Sequence, residues 1–377
     1  MHVVFTAVPG HGHVNPMVPL ARALAGRGHD VTFVTGVEMR ERVEELGFPC
    51  VPAGPTLDEM QGNALAEPSV RAFLETEPWR VAAAIFAGRV PEMLDDLTAA
   101  DVRPDLVVHD AYELSGPILA AREGVPWVTH ALGPRWPRYL EEAAGDLVAP
   151  AWVSNGCQPV ARAGLGHHAY VEICPPVVRP GDAVVSDHVL ESRPQALDEP
   201  AVVADPFGGA TGRRMYATLG TFTNSDAGAF RSVLDACNGI EATVLLTVGS
   251  GLEPAALRPL PDNVRVERYV PQAQILGDVD LVLCHGGSGT MLAALAAGVP
   301  VVIVPQGADQ FRNAPFWVAS GAVVTPDGPL SGAVLRRALA DARPGGPLRE
   351  AAERVRDVIA AMPPPETTAA HIESLLR

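Results

Sequence analysis

The sequence contains no lysine, so all 28 of its basic side chains are arginine. This absence removes the lysine of a Walker phosphate loop, a pyridoxal Schiff-base lysine and any lysine general base. Positive charge is scarce overall: 44 acidic residues against 28 arginines leave a formal net charge of −16. A chain so balanced lacks the general basic surface that captures nucleic acid or anionic lipid. Cysteines are few, at Cys50, Cys157, Cys174, Cys237 and Cys284, odd in number and without paired ligand spacing. They read as free thiols in a reducing compartment rather than as a disulfide framework. No apolar run reaches transmembrane length, and no signal-peptide pattern follows Met1, so the expected location is the cytoplasm.

What is present is enough apolar material for two cores, 47% of 377 residues. That length suits two α/β domains of about 150–200 residues each. An apolar run at residues 2–8 reads as a buried parallel strand, and residues 31–34, 48–51, 106–108, 127–130 and 170–174 read as further strands, with amphipathic helices between them. Proline-rich residues 53–79 and the stretch 135–168 read as irregular loops, residues 81–99 as one helix, and 179–213 as a linker. Strand and helix alternate again from residue 215 onward. A strand, a polar exit, a helix and a Gly-Val-Pro turn occur at residues 106–130 and recur at 281–304, so the halves are expected to share one architecture. The predicted division is 1–200, 213–360 and a C-terminal helix within 361–377.

Residues 281–300, LVLCHGGSGTMLAALAAGVP, hold a histidine, three glycines and two hydroxyls between a strand and a helix. Free amides and the positive end of a helix dipole at such a turn favour phosphate. In the first half, Gly10-His-Gly-His13 resembles a dinucleotide fingerprint, but Asn15 stands where the third glycine belongs. What remains is a histidine just before a helix predicted to start at an Asn15 cap and Pro16. The helix dipole disfavours the imidazolium, so His13 can accept a proton; Asp110, leaving a neighbouring strand at the same sheet edge, could orient it. His11 is the weaker rival for the base.

Taken together, GHGHVNP at 10–16, PDLVVHD at 104–110, Leu219-Gly-Thr221, YVPQAQIL at 269–276, HGGSGT at 285–290, and Asp309-Gln310 with Asn313 resemble one family over the whole chain. It is the bacterial family 1 of inverting nucleotide-sugar glycosyltransferases that decorate antibiotic aglycones. The resemblance implies an α/β GT-B fold: two facing Rossmann-like doubly wound domains, with the C-terminal helix returning to the N-terminal one.

It further implies His13 as catalytic base with Asp110 behind it. His285, Gly286, Gly287, Ser288, Gly289, Thr290 and Thr221 would hold the donor phosphates, and Tyr269, Val270 and Gln272 the nucleobase. Asp309 and Gln310 would read the sugar hydroxyls. Acceptors of the family sit in the N-terminal half, where Phe73, Trp79, Trp136 and Tyr139 offer aromatic surface, as does Trp152. No metal or other cofactor is implied. UDP-sugar relatives often carry glutamate three residues after the position of Thr290; here it is Ala293, which points to a dTDP-sugar donor. The acceptor would be a hydrophobic hydroxylated natural product, and the protein a monomer or homodimer. Alternatives are a UDP-sugar transferase, another GT-B enzyme such as an epimerase, or a silent binding partner of nucleotide sugar or natural product.

Overall fold

The computed structural model describes residues 1–66, 73, 76–77, 80–181, 186, 188–197, 205–220, 226–342 and 345–375. The chain forms two compact units. One gathers Met1–Ile173, Pro180–Arg193 and Pro363–Arg377, and the other Cys174–Arg179 and Pro194–Met362. Among the described residues, no helix is long and apolar enough to cross a membrane.

The first unit is built on seven parallel strands: β1 (His2–Thr6), β2 (Asp30–Thr35), β3 (Cys50–Pro52), β4 (Leu106–Asp110), β5 (Trp127–His130), β6 (Ala169–Glu172) and β7 (Val189–Glu191), in the order β3-β2-β1-β4-β5-β6-β7. The second has β8 (Arg214–Thr218), β9 (Thr243–Thr247), β10 (Val264–Glu267), β11 (Leu281–Cys284), β12 (Val301–Ile303) and β13 (Val323–Val324), ordered β10-β9-β8-β11-β12-β13. Strands buried on both faces need unbroken apolar runs, which β11 and the first three residues of β4 supply. Strand order reverses between β1 and β4 and again between β8 and β11. Those switch points, at the carboxyl ends of the strands, are where open α/β sheets bind ligands.

The repeated Gly-Val-Pro turn does the same work in both units. The helices Gly116–Glu123 and Ser288–Ala296 end at Gly124 (φ 69°) and Gly298 (φ 69°), left-handed positions that suit glycine. The following valine amide then closes each helix, Val125 onto the Ala120 carbonyl at 2.9 Å and Val299 onto that of Ala294 at 2.9 Å.

Several local expectations are corrected. The first helix starts at His11, not after an Asn15 cap: the Gly10 carbonyl accepts from the amides of His13 and Val14, both at 3.0 Å. A 3-10 turn, Asn15–Met17, joins it to the helix Val18–Gly26. Leu57–Ala66 is helical rather than loop, opened by a reciprocal capping box in which Thr56 and Glu59 each bond the other's amide, at 3.3 and 3.0 Å. Residues 81–99 form two helices, Arg80–Gly88 and Val90–Ala99, separated at Arg89; Pro91 has no amide to continue the first. The second predicted loop contains a 17-residue helix, Arg138–Ser154, whose Leu140, Ala144, Val148 and Trp152 are buried at four-residue spacing. Within the predicted linker lies β7, so β6 is not the last strand of its sheet.

The C-terminal helix Pro365–Leu375 packs against Val18–Gly26 within the first unit. Glu373 on it accepts from Arg27 at 2.6 and 2.8 Å and from His29 Nε2 at 2.8 Å. Hydrogen bonds from these two side chains hold its carboxyl down to about 2.

Candidate active site

In the first unit the switch point brings His13 and Asp110 together. Thr6 at the end of β1 is in register with His109, so the turn after β1 lies beside Asp110. Asp110 is fully buried and accepts four hydrogen bonds: Oδ2 from the Val8 amide at 2.7 Å and from His13 Nδ1 at 3.1 Å, Oδ1 from the amides of Tyr112 at 2.6 Å and Glu113 at 3.0 Å. Burial opposes ionisation of Asp110, but the His13 ring and the backbone donors more than offset it and hold the carboxyl below its usual range. A carboxylate can only accept, so the His13 proton sits on Nδ1 and Nε2 is the basic nitrogen.

The His13 side chain is 21% exposed and flanked by aromatic rings. Tyr112 meets its edge at 5.7 Å between centroids, and Phe86 lies at 6.2 Å. Trp136 stacks on Tyr112 at 4.6 Å and contacts Phe86 at 5.7 Å, which joins one predicted acceptor residue to the base. Phe86 and Tyr112 were not predicted; the sole sequence signal is that Tyr112 follows Asp110 by two residues. Phe73 carries the Arg80 guanidinium over its ring at 4.9 Å, Tyr139 is half exposed, and Trp152 is core packed against Trp127. Trp79 lies outside the described residues. On the far side of Asp110 sits Glu113, equally buried, which accepts from Thr6 Oγ1 at 2.6 Å, from the amides of Ser115 and Gly116 at 3.0 and 2.9 Å, and from the Ser115 hydroxyl.

At the switch point of the second unit, His285 follows directly after β11. Its ring is clamped by two backbones: a Cβ added to Gly220 or Gly287 would come within 2.5 or 2.3 Å of it. Burial pushes the imidazole down to about 4, against the pull of Asp309, so the ring is neutral near pH 7. Among the described residues, its buried Nδ1 has no hydrogen-bond partner. The helix Ser288–Ala296 begins beside it without a side-chain cap at Gly287, and the first amides of any helix lack intrahelical partners. Gln272 Nε2 donates to Thr290 Oγ1 at 3.0 Å, which links the predicted nucleobase and phosphate residues. Tyr269 is half exposed, whereas the Val270 side chain is buried and offers a ligand only its backbone.

Asp309 heads the helix Gln310–Ala319 and accepts from Asn313 Nδ2 at 2.7 Å. Gln310 departs from the simple expectation: it is buried, and its Oε1 is committed to the amides of Gln306 at 2.7 Å and Gly307 at 3.2 Å. That leaves its amide nitrogen as the group able to serve a ligand. Thr221 lies outside the described residues.

His130 in the first unit is also buried and pushed down to about 4 by burial, as His285 is in the second. Both histidines recover about 6.5 on unfolding, so the unfolded chain binds the extra protons. Stability is therefore full above pH 6.5 and falls as pH drops from 6.5 to about 4, by on the order of 3 kcal/mol for each histidine. Denaturant midpoints measured at pH 7 and pH 4.5 should differ accordingly; equal midpoints would contradict the assignment.

Two family models match the chain: Erythromycin biosynthesis protein CIII-like, N-terminal domain, over residues 22–220, and its C-terminal domain over residues 231–375. The L-demethylnoviosyl transferase of Streptomyces niveus is 32% identical over 352 residues, covering 85% of this chain and 84% of that protein. The crystal structure of the glycosyltransferase SnogD from Streptomyces nogalater matches with a TM-score of 0.76 at 30% identity, covering 100% of this chain and 99% of SnogD. The Streptomyces sp. SF2575 glycosyltransferase SsfS6, complexed with thymidine diphosphate, matches at a TM-score of 0.80 and 25% identity over 99% of both chains.

Proposed function

The chain belongs to the EryCIII-like family of bacterial natural-product glycosyltransferases, with the GT-B fold, and from that premise we propose that it transfers a deoxysugar from a dTDP-sugar to a hydroxyl of a hydrophobic acceptor with inversion. The observation that carries the proposal is the His13–Asp110 hydrogen bond, which supports Nε2 of His13 as the proton acceptor beside an aromatic wall.

In the proposed reaction His13 Nε2 takes the proton of the acceptor hydroxyl, and Asp110 stabilises the imidazolium that forms. The acceptor oxygen attacks the anomeric carbon from the face opposite the diphosphate. As the new C–O bond forms, the anomeric carbon–phosphate oxygen bond breaks and its electron pair leaves with the diphosphate. The amides of residues 286–290 and the neutral His285 donate to the developing phosphate charge, in place of a metal ion. Asp309 and the Gln310 amide are assigned to the sugar, and Tyr269 with the Gln272–Thr290 pair to the nucleoside. Phe86, Tyr112 and Trp136 supply the apolar surface for the acceptor.

The choice of dTDP rests on Ala293. It lies three residues after Thr290 on one helix, so both face the same side, and Ala293 is half-buried there. An alanine cannot accept from a ribose 2′-hydroxyl, so its site loses nothing when that hydroxyl is missing. The thymidine diphosphate bound to SsfS6 supports the same choice. Isothermal titration should show dTDP binding at least as tightly as UDP, and Ala293→Glu should improve UDP relative to dTDP by about tenfold, the worth of one hydrogen bond to a charged acceptor. Tighter UDP binding by the unaltered protein would sink the donor assignment. Transfer itself is tested by a donor-by-acceptor screen read by mass spectrometry, with the anomeric configuration of the product taken from its proton coupling constants.

A further inference from the structure

We infer that Arg89 is a positioning residue for the His13–Asp110 pair, a buried cation that balances the carboxylates behind the base. It is fully buried between the helices Arg80–Gly88 and Val90–Ala99, yet poorly bonded. Nη1 donates to the Ala7 carbonyl at 3.4 Å, Nη2 to that of Ala53 at 3.4 Å and to Met93 Sδ at 3.6 Å, and among the described residues the buried Nε has no partner. None of these three bonds is to a carboxylate. The cavity is nonetheless shaped for a guanidinium: a Cβ added to Gly54 would come within 2.9 Å of Nη2.

Burying a cation on three long contacts is unfavourable, whereas a methionine would fill similar space without that cost. The compensation lies in the anions around it. Burial pushes the guanidinium down from its ordinary value, and Glu113, Asp110, Glu38 and Glu92 oppose that in descending order. Glu38 and Glu92 are exposed and screened by water, while Glu113 and Asp110 are fully buried. Ala7, whose carbonyl Arg89 holds, precedes Val8, whose amide binds Asp110. His109 and His130, which also adjoin the carboxylates, are held neutral by burial.

With both carboxylates ionised, Arg89, Asp110 and Glu113 sum to a single negative charge, which His13 matches once it takes the acceptor's proton. Without the cation the sum is two negative charges, and the cluster retains a proton that the base must lack to begin the reaction. The inference rests on His13 being the base, but its test can be read without turnover. In Arg89→Met the midpoint of the His13 imidazole signal, followed by NMR in the free protein, should move up by about one pH unit, and the acid limb of kcat/KM should move with it. Arg89→Lys, which keeps the charge, should restore both.

A folded Arg89→Met protein with an unmoved His13 midpoint overturns the inference. A midpoint that moves while the acid limb stays leaves the inference standing and refutes His13 as the base. Should Arg89→Met not fold, Arg89→Gln serves as the neutral variant; loss of the fold in both makes Arg89 a structural anchor and also overturns the inference.

Discussion

His13→Ala should lower kcat for transfer by about 10²–10⁴-fold, the usual worth of a positioned general base, and leave dTDP affinity within about twofold. The two effects separate because His13 belongs to the first unit and the proposed nucleotide residues to the second. Asp110→Asn should cause a loss of similar order by a different route. An asparagine amide can donate to Nδ1 and so favour the tautomer whose proton is on Nε2, where the acceptor hydroxyl must give up its own. The double variant His13→Ala with Asp110→Asn should be scarcely worse than His13→Ala alone, since the pair acts as a unit. Full turnover by His13→Ala would show that the base lies elsewhere, with His11 the next residue to test.

His285→Ala should lower transfer by about 10²–10³-fold, the scale seen when one donor to a developing negative charge is removed. Because burial holds the ring near 4, it is neutral throughout the working range, and the loss should be the same at pH 6, 7.5 and 9. A loss confined to low pH would mean that a charged imidazolium does the work instead. Gly287→Ala offers a steric check on the same ring. Its φ of −64° suits alanine, so the backbone is unstrained, but the new Cβ would lie 2.3 Å from the imidazole. It should reduce dTDP affinity, and in a His285→Ala background that extra loss should vanish, as a double-mutant cycle would report.

Legibility in the sequence followed from how local each feature is. Strands β4 and β11 could be placed within two residues because each carries an uninterrupted apolar run, Leu106–Val108 and Leu281–Cys284, as a strand buried on both faces requires. The paired Gly-Val-Pro turns were legible because a left-handed helix end favours glycine whatever packs around it. The helix Arg138–Ser154 escaped notice although Leu140, Ala144, Val148 and Trp152 recur every four residues, because Gly145 and Pro150 interrupt it and its aromatics read as pocket lining. The helix Leu57–Ala66 hid behind prolines, although Thr56-Leu-Asp-Glu59 spells its capping box.

The sequence by itself determined two α/β halves, the ends of the strands on which chemistry could sit, and the residue types there: a histidine and an aspartate in one half, a histidine with glycines in the other. Tertiary structure alone decided which of these meet. Asp110 reaches His13 across 97 residues because β1 and β4 are neighbours at the reversal of strand order, a pairing that no local pattern encodes. Phe86, Tyr112 and Arg89 joined the site for the same reason, since each is ordinary in its own segment. Their roles arise from packing beside the buried carboxylates of Asp110 and Glu113, and burial is a property of the packed unit.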